Sequence, residues 1–294
     1  MSNAVVDSVC EWYAEHQRDL PWRDPACGSW GVLVSEVMLQ QTPVVRVLPR
    51  WEKWMRLWPT PAATAAASTA DILRVWDRLG YPRRALRLKD CATAIVQHFD
   101  GIVPSDEARL RSLPGIGEYT AAAVVAFAFH GRSVVLDTNV RRVLCRAFDA
   151  QALPVPHLTR AERERAAALV PAEPQRAALW AAASMELGAL VCQKAPKCAE
   201  CPIKSRCAWQ AAGMPPDKLA HRRTAQAWHG TDRQVRGQIM AVLRASQHAE
   251  REELLAVVKA PHPQFERALA SLLTDNLVVE FHGADNALAY RLPT

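Results

Sequence analysis

Apolar residues recur at helical spacing along most of the chain. Val5, Val6, Val9, Trp12 and Tyr13 fall on one side of a helix predicted over residues 4–17, and Leu20-Pro21-Trp22-Arg23-Asp24 breaks it. Over 29–41, Trp30, Val32, Leu33, Val34, Val37, Met38 and Leu39 leave no continuous polar face, so this second helix should be buried on most sides. Pro43 begins a third, in which Trp51, Trp54 and Trp58 recur at helical spacing, as core aromatics do. Short helices are expected over 61–69 and 71–77. The turn Leu79-Gly80-Tyr81-Pro82-Arg83-Arg84 then leads into a helix reaching Phe99.

The pattern centres on a hairpin. Leu110 and Leu113 close one helix, Pro114 stops it, and Gly115 and Gly117 are expected to turn with φ > 0. Thr120 and the alanine-rich run that follows start the next helix. Such a hairpin presents backbone N–H groups at a helix N-terminus, which suits a phosphate oxygen; glycines placed for turn geometry alone fit the spacing as well. Asp137 or Thr138 is placed to cap the helix Val140–Phe148, in which Val140, Val143, Leu144, Ala147 and Phe148 face inward. Helices over 158–170 and 174–189 complete an essentially all-α part. Residues 213–231 are rich in Pro, Ala and Arg without a period and read as a linker between a core at 1–212 and a separate segment at 232–294. There the pattern predicts helices at Gln234–Ala245, Arg251–Val258 and Pro263–Leu273, then strands Leu277–Phe281 and Ala287–Leu292 joined by a turn at 282–286. Three helices and a hairpin suggest a small winged-helix-like domain, a module that binds DNA in some proteins and other proteins elsewhere.

Chemistry enters at two places. Glu36 sits inside the apolar second helix, where a carboxylate is expensive unless paired or protonated and where burial raises its pKa. It is a candidate general acid, or the partner of an arginine. Cys192, Cys198, Cys201 and Cys207 lie within sixteen residues, a density that suits a metal site better than disulfides; zinc and an iron–sulfur cluster both take four thiolates. The remaining cysteines, Cys10, Cys27, Cys91 and Cys145, are scattered and read as reduced thiols. A net charge of +6, carried mostly by arginine, is compatible with a polyanionic partner. The chain opens on an amphipathic helix carrying Asp7, Glu11 and Glu15 rather than a signal peptide, and no apolar run approaches a membrane span, so a cytoplasmic protein is expected.

Taken together, the motifs resemble the A/G-mismatch adenine DNA glycosylases (the MutY family) of the helix–hairpin–helix glycosylase superfamily. The matching pieces are Leu20-Pro21-Trp22, Ser35 to Thr42, Leu79-Gly80-Tyr81, Leu113 to Thr120, Asp137 to Val143, Met185 to Ala189 and the four cysteines, in the family's order over residues 4–210. The resemblance implies a mainly α, two-lobed fold with a cluster loop, and a monomeric, nucleoid-associated enzyme acting on double-stranded DNA with adenine opposite 8-oxoguanine or guanine. It implies that Glu36 protonates adenine at N7 and activates water, and that Asp137 stabilises the sugar cation. Asn139 and Tyr119 would support that pair, Gln41 would fill the gap near the lesion, Tyr81 would wedge beside the opposite base, and the Gly115, Gly117 and Thr120 hairpin would hold phosphate. Two carboxylates in different environments can divide acid and electrostatic work in this way, on a base taken out of the stack. Endonuclease III relatives carry a lysine where this chain has Tyr119, so a monofunctional enzyme that leaves an abasic site is expected. A 4Fe–4S cluster is expected on the cysteines, with zinc the lesser option. Two departures stand out: the first cysteine gap is five residues where the family has six, and the C-terminal segment is too short for the family's Nudix-like, lesion-reading domain, as in actinobacterial members. Two other readings remain open, a thymine or uracil mismatch glycosylase on the same scaffold and a non-enzymatic DNA-binding regulator with a redox-sensing cluster. A buried Glu36 argues against the regulator.

Overall fold

A computed structural model describes residues 2–223, 228–283 and 287–294. In chain order they form α1 (Ser2–His16), α2 (Gly28–Leu39), α3 (Val44–Leu57), α4 (Pro61–Ala66), α5 (Thr69–Trp76), α6 (Arg83–His98), α7 (Glu107–Ser112) and α8 (Glu118–Phe129). Then follow α9 (Thr138–Asp149), α10 (Arg160–Leu169), α11 (Pro174–Leu190), α12 (Ala208–Ala211), α13 (Asp232–Ala245), β1 (Ala249–Glu250), α14 (Arg251–Val257), α15 (His262–Thr274), β2 (Val279–His282) and β3 (Leu288–Arg291). The chain divides into two compact units: residues 1–36, 104–112 and 116–224 in one, and 37–103, 113–115 and 225–294 in the other.

The first unit is built on α1, α9 and α11. The predicted face of α1, Val5, Val6, Val9, Trp12 and Tyr13, is buried with Val140, Val143 and Leu144 of α9 and Ala177, Trp180, Ala183 and Leu187 of α11. Each large apolar side chain removed from water there contributes about 1.5–3 kcal/mol. On α8, Ala122, Ala123 and Ala126 pack with Ala181 of α11 and Val135, and such small side chains let the helices approach closely. Asp137 caps α9, accepting from the Val140 N–H at 2.6 Å.

In the second unit Trp51 and Trp54 are core, as their spacing predicts, and Trp58 is half-buried. Trp54 is fully buried, edge-on to Trp58 at 4.9 Å and to Trp76 of α5 at 6.2 Å. Helix α2 ends at Leu39, two residues short of the predicted 41, because Gln41 takes a left-handed conformation (φ 54°). Its last carbonyls are gathered by Arg84, whose Nη1 donates to Val37 O at 2.9 Å and Gln40 O at 2.7 Å.

The C-terminal segment has the predicted three helices and one strand more than predicted. The sheet order is β1-β3-β2, antiparallel throughout, with Ala249 opposite Tyr290. Two residues are too few to show a strand's alternation, which is why β1 left no trace in the hydrophobic pattern. Val235, Ile239, Leu243, Leu254, Phe265, Leu269 and Leu272 form its core. Residues 284–286 of the predicted turn and 224–227 of the predicted linker lie outside the described residues.

Candidate active site

Four residues named from the sequence meet in the first unit. Glu36 on α2 is 5% exposed and accepts a 2.9 Å hydrogen bond from the Tyr119 hydroxyl, which enters from the first turn of α8. Burial pushes the Glu36 carboxyl up. Tyr119 opposes this by hydrogen bonding, the Asp137 charge adds to it and Arg23 draws it down, leaving a pKa of about 7. Burial and the two neighbouring carboxylates hold the Tyr119 phenol well above its usual value, so it remains a proton donor to Glu36.

Asp137 is also raised by burial, but the Val140 and Asn139 backbone, the Asn139 amide and Arg142 all pull it back. Asn139 Nδ2 donates to Asp137 Oδ2 at 2.8 Å, and Arg142 Nη2 donates to Asn139 Oδ1 at 2.8 Å. Arg142 in turn donates to the Gly188 and Cys192 carbonyls, both at 2.7 Å. A Cβ at Gly188 would stand 2.7 Å from Asn139 Cβ, so a bare backbone is what lets α11 lie against the start of α9. A carboxylic acid poised near neutrality beside a second carboxylate whose charged form is hydrogen-bonded can protonate a leaving group and stabilise a positive charge developing next to it.

A second buried carboxylate lies within the Met185–Ala189 motif, and the sequence assigned it no role. Glu186 on α11 is 1% exposed and accepts from Arg18 Nε at 2.9 Å and Arg23 Nη2 at 2.8 Å. Burial alone would raise its pKa, but these hydrogen bonds outweigh it and hold the group at about 2. Its signal was the same as that of Glu36, an acid within an apolar helical run, and Arg23 lies in the Leu20-Pro21-Trp22 break.

Cys192, Cys198, Cys201 and Cys207 line one pocket together with Arg146 and Trp209. Arg146 is 3% exposed; it donates to Ala152 O at 2.8 Å, Gln193 O at 2.6 Å and the Cys192 sulfur at 3.4 Å, and its guanidinium lies 4.6 Å from the Trp209 ring centroid.

The remaining predicted contacts differ in their settings. Gln41 is exposed, and Tyr81 is 46% exposed with φ 46°. Gly115 has the expected positive φ of 77°, and a Cβ there would meet Arg87 Cβ at 2.9 Å. Gly117 corrects the expectation: it is extended (φ −91°, ψ 179°), because it serves as N-cap of α8 rather than as part of the turn. A Cβ on Gly117 would meet nothing within 4 Å, so what it leaves open is the approach to the helix start. Thr120 is 2% exposed; its side chain belongs to the packed face of α8.

Residues 34–168 match the HhH-GPD superfamily of base excision DNA repair proteins. An adenine DNA glycosylase of Mycobacterium tuberculosis is 50% identical over 277 residues, covering 92% of this chain and 89% of that one. Another from Mycolicibacterium smegmatis is 49% identical over 98% of this chain and 97% of its own. Among solved structures, a thermostable thymine-DNA glycosylase superposes with a TM-score of 0.64 at 26% identity, covering 72% of this chain and 97% of that one. Identity of this extent, over a helical fold that joins a buried acid to a capping aspartate, shows that the chain belongs to the adenine DNA glycosylases, N-glycosylases of base excision repair.

Proposed function

We propose that the chain removes adenine paired with 8-oxoguanine or guanine and leaves an abasic site. The hydrogen bond between Tyr119 and Glu36, next to Asp137, carries this reading. Glu36, protonated near neutrality, donates to adenine N7 as the glycosidic bond breaks, and the resulting carboxylate takes a proton from the attacking water. Asp137, held in place by the α9 N-terminus and Asn139, faces the positive charge that develops on the sugar. Tyr119 offers no amine, so no Schiff base forms and the strand stays intact.

The cysteine pocket fits a 4Fe–4S cluster. Four cysteines line that pocket, one thiolate for each iron of such a cluster. Arg146 is a buried cation whose hydrogen bonds reach carbonyls and a cysteine sulfur, a setting that an anionic thiolate cluster completes. When bound, the cluster cross-links residues 192–207 and supplies negative charge; the chain's own part is to hold it with the four cysteines and Arg146.

The test uses labelled duplexes with adenine opposite 8-oxoguanine, guanine or thymine, each assayed with and without alkali. Alkali-dependent cutting at adenine in the first two supports the reading. Cutting without alkali, or release only of thymine or uracil, sinks it.

A further inference from the structure

Helix α5 ends on a residue whose backbone geometry is one that L-amino acids avoid. Asp77 has φ 45° and ψ −118°, and Arg78 follows at φ −94° and ψ 19°. This succession is the tight turn whose first central position is normally glycine, because a Cβ crowds the neighbouring peptide there. Asp77 closes α5 all the same, its N–H donating to Leu73 O. A side chain persists in such a geometry only where its surroundings hold it.

The holding is done by arginines. Arg50 of α3 pairs with Asp77 Oδ2 at 2.5 Å, and Arg46, one turn earlier on α3, donates to the Arg78 carbonyl. The third comes from the C-terminal domain: Arg244 Nε of α13 lies 3.6 Å from Asp77 Oδ1. The Arg244 side chain is 12% exposed; burial lowers its proton affinity, and Asp77 is the carboxylate that offsets this, against the like charges of Arg78 and Arg50. Asp275, just after α15, fastens α13 a second time, accepting from Arg236 at 2.7 Å and pairing with Arg83 at the start of α6 at 3.4 Å.

The chain beyond this joint is tied to the end of α2. Thr42 Oγ1 donates to Leu79 O at 3.2 Å, and Trp76 Nε1 donates to Gly80 O at 2.9 Å. Arg84 Nη2 donates to Gly80 O and to Thr42 Oγ1, both at 3.1 Å. Residues 78–84 and 40–42 thus form one connected piece, which includes the exposed Gln41 and Gly80.

We propose that Asp77 is a positioning residue, clamped in a glycine-type geometry by Arg50 and Arg244, through which the C-terminal domain fixes the turn after α5 and the exit of α2. The proposal goes beyond the excision reading; only the duplex measurement below rests on it.

Two measurements on the full chain test it: backbone amide exchange of the free protein, and affinity for a duplex with a non-hydrolysable adenosine analogue opposite guanine. R244M should speed exchange at residues 78–81 and leave α1 and α11 unchanged. In the R244M background no buried charge is orphaned when Asp77 is replaced. There Asp77→Ala keeps the Cβ and loses the clamp, whereas Asp77→Gly loses the clamp and the strain together. The alanine pair should exchange faster at 78–81 and bind the duplex about fivefold or more weakly, and the glycine pair should restore both to near the unmodified chain. Unchanged exchange in R244M, or alanine and glycine pairs that behave alike, would overturn the proposal. Faster exchange with undiminished duplex affinity would overturn the positioning role. If the alanine pair does not fold, R244M and the glycine pair still decide, since fast exchange in R244M that glycine does not slow is fatal. Exchange in the free chain does not depend on which base is excised, so a duplex from which no adenine is released defeats the excision reading and leaves the exchange result standing.

Discussion

At the residue scale, Glu36 stands in conflict with its surroundings, and the conflict is measurable. Its folded pKa of about 7 lies above the ordinary 4.5. Between those values the unfolded chain has released the proton that the folded chain keeps, so folding stability falls as pH rises through this window and is flat above it. Glu36→Gln should therefore raise stability by about 3 kcal/mol above pH 7 and by little below pH 4.5, read from denaturation curves at both pH values. The same change should lower single-turnover excision by about 10²–10⁴-fold. The rate of the unmodified enzyme should fall as pH rises above about 7, where Glu36 loses its proton. Tyr119→Phe removes a bond that favours the Glu36 carboxylate, so this alkaline limb should move to higher pH; a limb that stays or moves down would contradict the assignment. Glu36 and Asp137 were legible in the sequence because each is odd within a few residues of itself, an acid in an apolar run and a cap before a helix. The role of Glu186 was not, because its arginines lie 168 and 163 residues away along the chain.

At the scale of elements, helical periodicity carried most of the fold, and its failures have local causes. A left-handed Gln41 cut α2 short, and β1 is too brief to alternate. Gly117 looked like a turn glycine because residue type alone does not separate an extended cap from a positive φ. Gly188 was quoted as part of a motif, yet its use appears only where α11 meets α9. Gly188→Ala drives a methyl group against Asn139 Cβ and backbone. It should cost about 1–3 kcal/mol of stability and slow excision beyond that loss, since Asn139 holds Asp137. Thermal unfolding and single-turnover rates separate the two effects, and a variant with full activity would show that the helices can part without moving Asp137.

At the scale of the whole molecule, arginines hold both the cysteine loop, through Arg146, and the C-terminal segment, through Arg236 and Arg244 on Asp275 and Asp77. If the cysteines hold the proposed cluster, Arg146→Met should purify with less iron and weaker visible absorbance than the unmodified chain while still folding, because the half-buried Cys192 sulfur loses its nearest cation. Unchanged iron content would remove Arg146 from the cluster's support. The arginine-rich chain, at net charge +6, should also bind duplexes less tightly as salt rises. Asp137 has a consequence for how damaging substitutions in such a protein are recognised. The carboxylate is a helix cap and, in the excision proposed above, also the group that faces the sugar, and asparagine caps as well as aspartate does while carrying no charge. A survey of inherited variants ranked by melting temperature would pass D137N as harmless and flag D137A, although on that proposal either removes the charge that excision needs.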